Sequence, residues 1–69
     1  MTETQKNAFR KNVKKLMIDK DITVTELAEK LDCSVSMLSH SINGTKKPPF
    51  DMVVALANFF RVKVDDLIQ

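Results

Sequence analysis

Glycine occurs once in these 69 residues, proline twice, and tryptophan and tyrosine not at all. β-Sandwiches and barrels need frequent tight turns and favour aromatic residues, so a chain this poor in both points to helices. Cys33 is the only cysteine, which excludes an internal disulfide and a thiolate zinc cluster. His40 is the only histidine, so no metal site with histidine partners can form and no catalytic triad is available. No apolar run approaches the ~20 residues that span a bilayer. The first residues are polar rather than leader-like, and a cytoplasmic protein with no membrane partner is expected.

What is present fits one small globular domain over residues 1–69: 43% hydrophobic and 29% charged residues, too apolar for a disordered chain. The formal net charge is only +2, but its distribution is uneven. From Cys33 to Phe50 there is no carboxylate, while His40, Lys46 and Lys47 fall inside that stretch. Asp19, Asp21, Glu26, Glu29 and Asp32 precede it, and Asp51, Asp65 and Asp66 follow. A weakly basic protein built this way can present one acid-free surface to a polyanion.

Periodicity predicts five helices. Phe9, Val13, Leu16 and Met17 recur at helical spacing within about Glu3 to Lys20, with Asp19 to Asp21 ending the helix and Ile22 a buried link. Thr23-Val24-Thr25-Glu26 has the form of a capping box. It opens a helix to about Leu31 with Leu27, Ala28 and Leu31 inward. Asp32 and Cys33 make a short turn, and Ser34 caps a third helix over about 35–42. That helix is uncharged apart from His40. Leu38 and Ile42 suit a core, leaving Val35, Ser36, Ser39 and His40 facing out. A helix exposed only for solubility usually carries Lys–Glu pairs, and this one has none. Asn43-Gly44 stops it, and Thr45 to Pro49 form a loop. Asp51 is expected to cap a fourth helix to about Phe60, with Val53, Leu56, Ala57 and Phe60 inward. A last short helix spans about Asp65 to Ile68, with Leu67 packing back.

The run Thr23-x-x-Glu26-Leu27-Ala28-x-x-Leu31-x-Cys33-Ser34, then Leu38-Ser39, Asn43-Gly44 and Lys47-Pro48, resembles the lambda-repressor-like (Cro and repressor type) helix-turn-helix family. So does the tail, Leu56-Ala57-x-x-Phe60-x-Val62-x-Val64-Asp65-Asp66-Leu67. The resemblance covers about residues 9–68. It implies a compact all-α five-helix domain whose second and third helices form the helix-turn-helix. A major groove about 12 Å wide admits one α-helix while another crosses behind it, which accounts for the short connection from Leu31 to Val35.

By position, the resemblance implies base contacts from Val35, Ser36, Ser39 and His40. It implies phosphate contacts from Asn43, Thr45, Lys46 and Lys47 in the loop, and from Thr23, Val24 and Thr25 where backbone amides meet an anion. The implied activity is sequence-specific transcriptional regulation of prokaryotic or phage type, as a repressor on a roughly palindromic operator. Double-stranded DNA is then the partner, and no cofactor, metal or small-molecule ligand is expected. Departures are visible. Val24 stands where the family often has Gln, and Val35 replaces a commonly polar base-reading position. Met17 and Ile42 are apolar where an Arg and a Glu often form a buried ion pair.

Rival readings stay open. His40 is either a DNA contact or a spectator. Cys33 reads as a small core hydrophobe. Lys11, Lys14 and Lys15 solubilise the first helix or add a phosphate patch. Glu26, Glu29 and Asp32 read as a solvated face rather than an enzyme's acid–base pair, and no nucleophile motif accompanies them. Met52, Ala55 and Phe59 form a second apolar stripe that a monomer would expose, pointing to a homodimer. The alternative function is an interaction module or antitoxin-like partner that keeps the fold with little DNA binding.

Overall fold

The computed structural model describes residues 1–44 and 46–69, and among these every regular element is helical. The order is α1 (Glu3–Lys20), α2 (Val24–Leu31), α3 (Val35–Ile42), α4 (Phe50–Phe60) and α5 (Val64–Ile68). The periodicity of the sequence therefore located all five helices, with the start of α4 two residues earlier than expected.

Each helix contributes one large side chain with no solvent exposure: Phe9, Leu27, Leu38, Leu56 and Leu67. Around them pack Val13, Met17, Ala28, Ile42, Met52, Val53, Ala57 and Phe60. In α1 the buried residues Phe9, Val13 and Met17 stand four apart, one stripe down a single face. That stripe meets α5 and α3, while α4 bridges α2 and α5. The radius of gyration, 10.6 Å, is close to the ~11 Å expected for a compact chain of this length.

Local chemistry sets the helix ends. At α2, Thr23 Oγ1 accepts from the Glu26 amide at 3.1 Å and Glu26 Oε1 accepts from the Thr23 amide at 3.2 Å, the capping box read from the sequence. A second such box, Thr2 with Gln5, opens α1 and was not anticipated. Ser34 Oγ accepts from the Met37 amide at 3.3 Å to start α3. Asp51 does not cap α4. Pro49 occupies the N-cap in an extended conformation without a side-chain cap bond, because its ring presets φ and the helix starts directly behind it at Phe50. Asp51 lies in the first turn, where its charge favours the helix dipole.

Three helices end without glycine. Asp21, Asp32 and Arg61 adopt left-handed φ of 53°, 54° and 58°. In each case the next amide reaches back across the last turn: Ile22 to the Met17 carbonyl, Cys33 to Ala28 and Val62 to Ala57, at 2.9–3.0 Å. Ile22, Cys33 and Val62 each pack against the core, the apolar contact that accompanies this type of cap. Sequence reading placed the end of α1 at Asp19 to Asp21 but missed the motif that the three ends share.

The expected exposed stripe on α4 needs correcting. Met52 is 7% exposed and belongs to the core. Phe59 is half-buried, packing edge-on against Phe60 with ring centroids 5.1 Å apart. Ala55 is half-buried too. Because α4 is covered from two sides, by α2 and by α5, its apolar arc is wider than the single stripe a one-sided helix would need. The large apolar side chains left exposed are instead Ile18, Val35, Met37 and Phe50.

Candidate nucleic-acid interface

The interface is built around α3. Its inner face buries Leu38, Ser41 and Ile42, so the helix cannot roll without breaking the core. Val35, Ser36 and His40 are thereby held outward and exposed. Ser36 and His40 make no side-chain hydrogen bond to another described residue, leaving their polar atoms open. Val35 is 42% exposed and offers methyl groups, which suit a thymine methyl and cannot hydrogen-bond.

Ser39 and Asn43 are differently placed. Ser39 is half-buried, and its hydroxyl accepts from Asn43 Nδ2 at 3.2 Å. The two side chains expected to touch base and backbone separately therefore engage each other first. A DNA contact from either has to share or break that bond.

Behind α3, the start of α2 offers backbone donors. The first turn of any helix has amides without intrahelical partners. Here the capping box consumes those of Thr23 and Glu26 and also ties the Thr23 hydroxyl to Glu26 Oε1 at 3.0 Å. The amides of Val24 and Thr25 are what remains for an anion. Glu26 brings a carboxylate to the same end, so what this corner offers an anion is two open amides rather than net positive charge.

Beyond α3, Asn43 is still near-helical, and Gly44 turns the chain at φ +80°. The Lys46 amide donates back to the His40 carbonyl at 3.3 Å, tying Lys46 to the last turn of α3. Lys46 and Lys47 are exposed. Neither forms an ion pair among the described residues, where the one such pair is Lys6–Glu3 at 3.5 Å. Thr45, expected to contact phosphate, lies outside the described residues. Lys47 stands beside the Met1 ammonium and holds it below its ordinary pKa.

An α-helix anchored by its inner face, a three-residue turn before it, and open backbone amides and lysines flanking it form the arrangement of a groove-reading unit. A helix-turn-helix family model matches residues 13–67. The chain belongs to the lambda-repressor-like helix-turn-helix family. This makes it a DNA-binding helix-turn-helix domain, of a family of regulatory domains. No curated protein and no solved structure matches it.

The family's departures have a structural counterpart in this helix-turn-helix domain. Met17 and Ile42 are both buried, at 9% and 2% exposure. They line one cleft of about 430 Å³, with Ile18, Ile22 and Val24 among its walls. An apolar wall stands at these two positions, and it opens beside the α2 N-terminus. No helix among the described residues is long and apolar enough to cross a membrane. Sequence reasoning also missed Arg10, which lies against the exit of α3. No local signal marks it, since the contact exists only because α1 crosses α3.

Proposed function

We propose that this domain is a sequence-specific transcriptional regulator, a repressor that occupies a roughly palindromic operator as a dimer in the cytoplasm. The observation that carries the reading is the outward face of α3. It carries no carboxylate, sets the polar Ser36 and His40 beside the apolar Val35 and Met37, is held rigidly by Leu38 and Ile42, and is flanked by Lys46 and Lys47. Val35, Ser36 and His40 are the base-reading residues, with Ser39 contributing through its bond to Asn43. Asn43, Thr45, Lys46, Lys47 and the amides of Val24 and Thr25 position the phosphate backbone, and Thr23 holds that corner in shape.

Dimerisation follows from how such domains gain affinity: two copies related by a two-fold axis place their helices one DNA turn apart. Ala55 and Phe59 carry the dimer contact, joined by Met52 only through its remaining edge. Selecting bound fragments from a random DNA pool tests the whole reading. An inverted-repeat motif and binding that falls steeply with salt are expected. Recovery of fragments with no shared motif would refute sequence-specific recognition, and a single unrepeated half-site would refute the dimer.

A further inference from the structure

Arg10 lies outside the matched family segment, yet it reaches the loop that leaves the recognition helix. Its Nη1 donates to the Asn43 carbonyl at 3.3 Å, and its Nη2 donates to Asn7 Oδ1 at 2.9 Å. One arm of the guanidinium is therefore fixed to α1 and the other to the last turn of α3. A carbonyl at a helix C-terminus has no intrahelical donor and carries the negative end of the dipole, so a cation there is favourable.

Gly44 shows how closely this contact is built. A Cβ at that position would stand 2.7 Å from Arg10 Nη1 and 3.5 Å from its Cζ. Positive φ alone does not explain the glycine, because this chain places Asp21, Asp32 and Arg61 in the left-handed region elsewhere. The single glycine of the sequence stands at a turn where a Cβ would meet the Arg10 guanidinium.

We propose that Arg10 is a positioning residue for DNA binding: it clamps the exit of α3 and so sets where Lys46 and Lys47 stand relative to the DNA backbone. It works through geometry rather than as one more cation, and the inference rests on the reading of the lysine loop given above. Lysine in its place keeps the charge but has a single ammonium on a flexible stem, and it cannot fork between Asn7 and Asn43.

The test measures affinity for a random-sequence duplex of about 20 base pairs at roughly 50 mM salt, with far-ultraviolet dichroism confirming that each protein is helical. R10M should weaken binding about tenfold, and R10K should stay nearly as weak. In a K46A/K47A background, R10M should change affinity by less than about twofold, because the lysines it would have positioned are gone. G44A, which displaces the guanidinium, should reproduce the R10M loss and add little to it. Wild-type affinity in R10K would show that charge alone matters and overturn the proposal. So would an R10M effect that adds in full to that of K46A/K47A. If K46A/K47A alone leaves affinity unchanged, the lysine-loop reading falls and the role of Arg10 falls with it. A normal lysine effect with additive R10M sinks only the Arg10 inference.

Discussion

The apolar pair at Met17 and Ile42 makes the alignment testable by thermodynamics. Where an ion pair is usual, this core holds a thioether and a branched aliphatic, and that exchange is often neutral or stabilising because no charge is stripped of water. Ile42→Glu puts a carboxylate at a site with 2% exposure. It leaves that group unpaired and removes packing, for a cost of about 3–5 kcal/mol. A domain of this size is stabilised by only ~3–10 kcal/mol in total, so this variant sits near the edge of folding. Met17→Arg is milder. The cleft beside Met17 runs to Lys14, Ile18 and Asp21, so the long side chain can lie along Ile18 and bring its head to water near Asp21, at a cost of about 1–2 kcal/mol. In the double variant the guanidinium can turn inward and meet the new carboxylate. At an effective dielectric of about 20, charges ~4 Å apart attract by roughly 4 kcal/mol, and desolvation leaves a coupling of about 2–3 kcal/mol. Urea denaturation of the four proteins, in sucrose to keep the weakest one folded, gives that coupling directly. Single losses that add to within ~0.5 kcal/mol would show that the two positions do not meet. The register of α3 against α1 would then be wrong.

The remaining predictions concern the interface, the helix ends and the dimer. Ser36→Ala and His40→Ala should each relax base preference by about 1–3 kcal/mol on the selected site, with melting temperature unchanged. Lys46→Ala and Lys47→Ala should each weaken binding to every sequence and lower the salt slope by about one. The reverse pattern would place the recognition surface elsewhere. Arg61→Gly relieves a left-handed residue that costs ~1–2 kcal/mol against an entropic loss of ~0.4–1. It should raise Tm by a few degrees, and more than Asp32→Gly does, since Asp tolerates that conformation better; a lowered Tm would refute the account of these caps. Phe59→Glu should give a folded monomer with weakened operator binding in sedimentation and titration. An unchanged association state would take the dimer contact away from α4.

Helix starts and stops were legible in the sequence because they depend on neighbours within one turn. The Thr23–Glu26 box, the Ser34 cap and the Asn43-Gly44 stop all came out where the residues placed them. The three glycine-free ends are local too, but their signal is an apolar residue following the left-handed position, which is weaker than a glycine. Asp51 was misplaced as a cap by one such local competition, in which Pro49 presets the turn first.

By itself the sequence determined the five helices, their buried stripes and the family pattern, since periodicity and caps act over a few residues. It also determined that the segment from Cys33 to Phe50 carries no carboxylate. Tertiary structure alone decided which polar groups are spent and which are open. Ser39 is half-buried with its hydroxyl taken by Asn43, while Ser36 and His40 face out. It also decided that Met52 is core, because α4 is gripped from two sides. The reach of Arg10 to a carbonyl 33 positions away was settled there as well. Contacts of that kind depend on how helices cross, and crossing is fixed by the joint packing of all five stripes rather than by any one of them.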